Sequence, residues 1–117
     1  MKIRIKGSTL RLRLSQDEVR TLEETGLVTE ECKLLNSSFT YSLLSGDQEK
    51  ITAEIQENHI RVVMPKSMVE GWYANKKIGY SETMSNGCFL LIEKDFQCLV
   101  PRDHEDESNL YKNPRAK

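Results

Sequence analysis

The chain has 117 residues, a formal net charge of −1 and a hydrophobic fraction of 38%. A chain of this length folds as one domain, and its near-neutral charge excludes a polycation that binds nucleic acid through total charge alone. No apolar run approaches the ~18 residues that a membrane-spanning helix needs, and the first residues lack the apolar stretch of a secretory signal. We therefore expect a cytoplasmic protein without a membrane segment, whose cysteines are free thiols.

The opening stretch, MKIRIKGSTLRLRL, alternates between basic and apolar side chains on both sides of Gly7. This pattern predicts two strands joined by a two-residue turn, with basic side chains on one face and apolar side chains on the other. In that register Arg4 lies opposite Arg11, and like charges that face each other are unfavourable unless another group neutralises them. The cations that we call the basic face are Lys2, Arg4, Lys6, Arg11 and Arg13.

The residues directly after this hairpin have the pattern of a helix N-terminus. Ser15 and Glu18 have the spacing of a capping box, in which the serine hydroxyl accepts from the backbone and the glutamate reaches back. The pattern predicts a helix over 16–25 that ends at Gly26, because glycine readily adopts the left-handed conformation at a helix end.

The remaining elements are mostly short strands. Alternation and turn residues predict strands over 27–35, 39–43, 51–56, 59–64, 78–84 and 88–96, and helical spacing after Pro65 predicts a second helix that ends near Asn75. The continuous apolar run 88–92 is typical of a central strand that is covered on both faces.

These elements predict an α+β domain over 1–100, followed by a polar, acidic and flexible tail over 101–117. We expect a mainly antiparallel, strongly curved sheet or partly closed barrel with two short helices, because successive strands are joined by short turns. No internal repeat or linker divides the chain.

The basic face is the main candidate site, and it has two interpretations. Its cations could be paired with carboxylates of neighbouring strands, for which Glu54, Glu82 and Glu93 are the candidates. Alternatively, they bind an anion such as a phosphate group, whose oxygens match the planar fork of arginine. The absence of aromatic residues between the cations argues against nucleic acid as the ligand.

Evidence for other chemistry is weak. Cys98 and His104 are the best candidates for a metal site, but their spacing matches no standard zinc pattern. His59 lies beside a predicted turn, where we expect it to be exposed to solvent. No catalytic motif is present, so the sequence predicts neither a catalytic residue nor a cofactor.

The segments MKIRIKG, LRLRLSQDEV, MPKSMVEGW, LIEKDFQCL and DESNLYKNP resemble a family of small uncharacterised bacterial proteins of about this length. The resemblance implies a cytoplasmic protein of unknown function. A looser resemblance links the chain to triphosphate-tunnel enzymes, whose barrels point basic side chains inward. Their alternating glutamate signature is replaced here by Lys2, Arg4 and Lys6, which argues against their metal-dependent hydrolysis but not against anion binding.

Two functional hypotheses follow. The first is a non-catalytic binding module whose basic face engages an anionic small molecule or a protein partner, and the alternative is a small phosphate- or triphosphate-handling enzyme of the antiparallel-barrel type. For the acidic tail there are two hypotheses: Leu110 and Tyr111 anchor it, so that it folds back over the basic face and competes with an external anion, or it is a disordered tail with no preferred contact. The sequence gives no prediction of oligomeric state.

Overall fold

The computed structural model describes residues 1–96, 110 and 111, and these form two helices and eight strands. The elements in chain order are β1 (Lys2–Lys6), β2 (Thr9–Leu14), α1 (Gln16–Thr25), β3 (Leu27–Lys33), β4 (Ser38–Gly46), β5 (Thr52–Gln56), β6 (His59–Pro65), α2 (Lys66–Val69), β7 (Gly79–Thr83) and β8 (Phe89–Lys94). The predicted α+β class is confirmed. Within the described residues, no helix is long and apolar enough to cross a membrane.

The strands form two four-stranded sheets. The first sheet has the order β1-β2-β8-β7, and the second has the order β3-β4-β6-β5. Each sheet consists of two antiparallel hairpins whose inner strands pair in parallel, β2 with β8 and β4 with β6. The pairing is mainly antiparallel as predicted, in four of the six strand pairs, but both sheets are mixed because their central pairs are parallel. The expectation of a partly closed barrel is wrong, because the described strands form two separate sheets and do not close into a barrel.

The parallel pairs lie at the centre of each sheet. In all four hairpins the second strand lies in the centre of its sheet and the first strand lies at the edge. In three of the hairpins the second strand also carries the buried apolar side chains, whereas β3 and β4 bury one each. The hairpins join through their second strands, and these run in the same direction. Local turn patterns cannot reveal this, because the partners Thr9 and Phe89 lie far apart in the chain.

The structure also reveals a repeat that the sequence analysis missed. Both halves of the chain have the order strand, strand, helix, strand, strand. The first hairpins of the two halves share one register, since Lys2 pairs with Arg13 and Thr52 pairs with Val63, fifty residues further along. Each sheet combines one hairpin from each half, so the two halves share a single core.

That core lies between the inner faces of the two sheets and is closed by α1. Leu12 and Leu14 of β2 and Ile92 of β8 are fully buried, as are Val19 and Leu22 of α1. Burial of each such side chain contributes about 1.5–3 kcal/mol relative to exposure. The core therefore depends on the apolar faces that the alternation of the sequence predicted.

Helix α1 has the predicted bounds and caps. The Ser15 hydroxyl accepts a hydrogen bond from the Glu18 amide at 3.3 Å, and the Ser15 amide donates to the Glu18 carboxylate at 2.9 Å. The same carboxylate contacts the amine of Met1, which also donates to Glu30 at 2.6 Å. Glu18 thus joins the start of β1 to the start of α1.

Helix α2 is shorter than predicted. It ends at Val69, and Gly71 has a φ of 76° that leaves the helical conformation. Trp72 nevertheless is fully buried, and its indole nitrogen donates to the carbonyl of Lys77 at 2.9 Å. The helical spacing of apolar residues after Pro65 therefore reflects burial in an irregular segment rather than a continuous helix.

Strand β8 is central, as its apolar run predicted, but it is not covered on both faces. Leu90 and Ile92 point into the core and are fully buried. On the opposite face Phe89 is 37% exposed and Leu91 is half-buried. That outer face of the first sheet carries the basic face.

Substitution of Glu18 by glutamine should destabilise the fold in a pH-dependent manner. Burial raises the pKa of Glu18, but hydrogen bonds and charge from the Met1 amine and the Ser15 amide outweigh it, so the net pKa is lowered. A carboxyl with a lowered folded-state pKa stabilises the protein above its unfolded pKa, and this contribution is lost as the pH falls through the folded-state pKa.

We expect E18Q to lower the free energy of unfolding by about 1–3 kcal/mol at neutral pH and by less near pH 3. Urea unfolding at both pH values measures this. The matched control is Glu24→Gln, on an exposed position of the same helix. Equal effects of the two substitutions at neutral pH would contradict the role of Glu18.

Candidate functional site

The five cations of the basic face lie on the outer face of β1 and β2 in the predicted register. Arg4 is opposite Arg11, and Lys2 is opposite Arg13. The cations of β1 are exposed, and the two arginines of β2 are half-buried because β2 lies between β1 and β8. The structure therefore brings all five predicted site residues together on one surface.

A carboxylate from β8 neutralises part of this face. The parallel register places Glu93 opposite Arg13. One oxygen of Glu93, Oε1, accepts from Nε of Arg11 at 2.6 Å and from Nε of Arg13 at 3.0 Å, and it also contacts Nη2 of Arg11. Glu93 was one of the three predicted counterions. Glu54 and Glu82, the other two, form no ion pair with these cations in the described structure.

A second carboxylate, which the sequence analysis missed, contacts the other end of the face. Asp95 lies directly after β8, and its side chain, which is only 5% exposed, is 2.9 Å from Nζ of Lys2. Its backbone amide donates to the carbonyl of Leu14 at 2.8 Å. Asp95 follows Glu93 by two residues, so the period of a strand could have placed both on one face.

Arg4 and Lys6 differ from the other cations of the face. Within residues 1–96, 110 and 111, neither forms an ion pair or a side-chain hydrogen bond. A shallow depression of about 230 Å³ is lined by Arg4, Lys6, Thr9, Arg11 and Leu91. A neighbouring depression of about 290 Å³ is lined by Lys2, Ile3, Arg4, Arg11 and Arg13. No carboxylate lines either depression, and Arg4 and Arg11 line both.

These depressions suit a small anion chemically. Arginine carries five N–H donors, and the contacts of Arg11 with Glu93 use only Nε and Nη2. Donors of Arg11 that remain, together with those of Arg4 and Lys6, can reach phosphate or carboxylate oxygens above Leu91. The apolar surface of Leu91 lowers the local dielectric, which strengthens such contacts.

Cys98 and His104, the residues of the predicted metal site, lie outside the described residues. Among the described residues, no group of three or more His, Cys, Asp or Glu side chains could hold a metal ion. His59 is half-buried rather than exposed, because its Nε2 lies 2.7 Å from the hydroxyl of buried Ser42. That hydroxyl is 2.9 Å from the hydroxyl of Thr29. These contacts join three strands of the second sheet.

A buried lysine lies at the end of β8. Lys94 is 5% exposed, and its Nζ donates to the carbonyl of Asn75 at 2.8 Å and lies 5.0 Å from the ring centre of Tyr111. Burial lowers the pKa of Lys94, although Glu23 opposes this, and burial raises the pKa of Tyr111 to about 12. Since Lys94 is almost inaccessible, its role is to fix the segment after α2 to β8.

The expected anchors of the tail do contact the folded domain. Leu110 is 8% exposed, and its carbonyl accepts from the Gln16 side chain at 3.1 Å. The amide of Tyr111 donates to the carbonyl of Asp95 at 2.8 Å. The acidic residues expected to cover the basic face lie outside the described residues.

A wider polar cleft of about 650 Å³ lies between the end of α1 and α2. It is lined by Glu23, Lys66, Glu70 and backbone of glycine turns, among others. Lys66 is held 3.0 Å from Asp47. The charges of this cleft are mixed and exposed, and none of the predicted site residues lines it.

Comparison with known proteins bears out the first resemblance. The model of a family of unknown function (DUF7009) matches residues 1–115 of the chain. No curated protein and no solved structure matches the chain.

Substitution of Glu93 by glutamine should destabilise the first sheet. Arg11 and Arg13 would then lie beside each other and beside the cations of β1 without their shared carboxylate. Because Glu93 is partly buried, we expect the free energy of unfolding to fall by about 1–3 kcal/mol, and the loss to shrink at high salt.

Chemical unfolding of E93Q at low and high salt measures this effect. Glu82→Gln on β7 is the matched control, since Glu82 makes no contact with the basic face. If E93Q is no less stable than E82Q, the shared carboxylate does not stabilise the sheet.

Proposed function

The chain belongs to this family of unknown function, and we propose that it is a non-catalytic binding module whose basic face binds an anionic group. The binding residues are Arg4 and Lys6 of β1, with Arg11 of β2. Lys2 and Arg13 border the same surface but are already in contact with Asp95 and Glu93. A bacterial and cytoplasmic origin is part of the proposal, supported by the first resemblance and by the free thiols of Cys32 and Cys88.

One observation carries the proposal. Arg4 and Lys6 have no carboxylate partner in the described part of the chain, whereas the other three cations of the basic face each have one. Arg4 and Lys6 lie beside Arg11 and Arg13, which share the single carboxylate of Glu93. The surface therefore has a local excess of positive charge. The overall charge of the protein is nearly zero, so this excess is a property of the surface rather than of the composition.

The strength of the interaction can be bounded. Single exposed ion pairs contribute about 0.2–1 kcal/mol each, so one charge on the ligand would not bind measurably. A ligand with several negative groups that contacts three cations at once gains at most about 3 kcal/mol from them, so we expect an affinity no tighter than the millimolar range. Because the site is exposed, binding should weaken strongly above about 0.1 M salt.

The alternative, a phosphate-handling enzyme of barrel type, gains no support from the geometry. That hypothesis requires basic side chains that point into an enclosed barrel. In the described structure they lie on the outer face of an open sheet. We therefore keep the binding module as the proposed function.

Binding of inorganic tripolyphosphate tests the proposal. We expect the wild-type protein to bind it at low salt, and Arg4→Ala or Lys6→Ala to weaken binding about three- to tenfold each, because each removes a charge-assisted contact. Isothermal titration calorimetry measures the affinities. The matched control is Arg61→Ala, at the position equivalent to Arg11 in the repeated hairpin, which should bind as the wild type does.

Loss of binding in R61A equal to that in R4A would show that only general charge matters. Absence of binding by the wild-type protein would contradict the proposed function.

Substitution of Glu93 by glutamine should have the opposite effect and strengthen the binding of tripolyphosphate. In E93Q the arginines of β2 no longer share a counterion, so they become available to the ligand. We expect E93Q to bind tripolyphosphate about three- to tenfold more tightly at a temperature where the variant is folded. Unchanged affinity would show that Glu93 does not compete for the site.

A further inference from the structure

The strand that carries Arg4 and Lys6 is also an edge of the first sheet. Among the described strands, β1 pairs with β2 alone and is the last strand of its sheet. A two-residue turn makes Lys6 and Thr9 the first pair that exchanges backbone hydrogen bonds, and such pairs alternate along a hairpin. Lys2 and Arg4 therefore bond to β2 as well. The amides and carbonyls of Ile3 and Ile5 consequently point to the open edge.

The two faces of this edge differ in chemistry. The basic face lies on the outer side. On the inner side, Ile5 is 57% exposed at an apolar groove of about 310 Å³ between the two sheets. The side chains that line the apolar groove include Ile5, Leu10, Ala53, Ile55, Ile60 and Met84. An added strand would therefore meet cations on one of its faces and apolar side chains on the other.

We propose that β1 accepts an extended acidic segment of a partner protein as an additional strand, with alternating acidic and apolar side chains. This rests on the proposed function and specifies its ligand. The acidic side chains would lie beside Arg4 and Lys6, the apolar side chains would cover Ile5 and enter the apolar groove, and the backbone would bond to Ile3 and Ile5. Charge complementarity and the period of a strand together define the partner.

A second copy of this chain fits the edge poorly. Two β1 strands paired edge to edge would place lysines and arginines beside lysines and arginines, which is how edge strands avoid self-association. β5, the equivalent edge of the second sheet, also exposes an isoleucine, Ile55, at 66%. Its outer face, however, presents Glu54 opposite Arg61, a complementary pair. The excess of cations is therefore specific to β1.

The test uses a short acetylated and amidated peptide of alternating glutamate and valine, and a control peptide of the same composition in two blocks. We expect the alternating peptide to bind about tenfold more tightly than the block peptide, since only it matches both faces. It should also slow hydrogen exchange of the Ile3 and Ile5 amides about tenfold or more.

Two variants separate strand addition from simple anion binding. Ile5→Pro removes an edge donor at a position where an edge strand tolerates proline, and Ser81→Pro is the matched control on β7, the opposite edge strand of the same sheet, at a position that does not line the apolar groove. We expect I5P to weaken binding of the alternating peptide about tenfold, S81P to leave that binding unchanged, and both variants to keep the tripolyphosphate affinity of the wild type. Hydrogen exchange of the Ile3 and Ile5 amides in the wild-type protein tests strand addition without any variant.

Equal binding of the two peptides without slower exchange at Ile3 and Ile5 would overturn strand addition while the proposed anion site survives. Tighter binding of a single-stranded oligonucleotide than of the alternating peptide would also overturn it. If neither the peptides nor tripolyphosphate bind, both the inference and the proposed function fail.

Discussion

One oxygen of Glu93 is the counterion of both arginines at the centre of the first sheet. Its Oε1 accepts hydrogen bonds from Arg11 and Arg13, so the parallel pair β2 and β8 can place two arginines beside an edge strand that carries three further cations. Without this contact, and without that of Asp95 with Lys2, the register would bring like charges together on the outer face of the sheet. Arg4 and Lys6 have no carboxylate partner among the described residues, which is the basis of the proposed anion site.

The exchange of hairpins between the two halves of the chain determines where this surface lies. Each sheet needs one hairpin from each half, so neither half can complete its own core. The first hairpin of each half also provides an edge strand, β1 in one sheet and β5 in the other. The two edges share a register but not a charge pattern. The repeated hairpin β5-β6, with its complementary pair Glu54 and Arg61, is therefore an internal control for the charge of the basic face.

The sequence predicted the local features well, and they include most of the candidate site. The register of Arg4 with Arg11 and the caps of α1 depend on residues close in the chain, whose side-chain period and turn chemistry determine the outcome. The parallel pairs could not be predicted, because they depend on which apolar strands meet across long separations. Gly71 ended α2 early, since its left-handed backbone outweighed the apolar spacing. Asp95 was missed although it follows Glu93, a predicted counterion, at the spacing of one strand face; its contact with Lys2 additionally depends on the parallel register of β2 and β8.

The central claim is that Glu93 pairs with the inner arginines, whereas Arg4 and Lys6, which have no ion pair among the described residues, bind the ligand. Resolved arginine Nε–H signals in an NMR titration with tripolyphosphate test it most directly. We predict that the signal of Arg4 shifts as the ligand is added, whereas that of Arg13 starts at a position typical of a hydrogen bond to carboxylate and moves much less. Equal shifts of the Arg4 and Arg13 signals, or a shift of Arg13 without one of Arg4, would contradict the account.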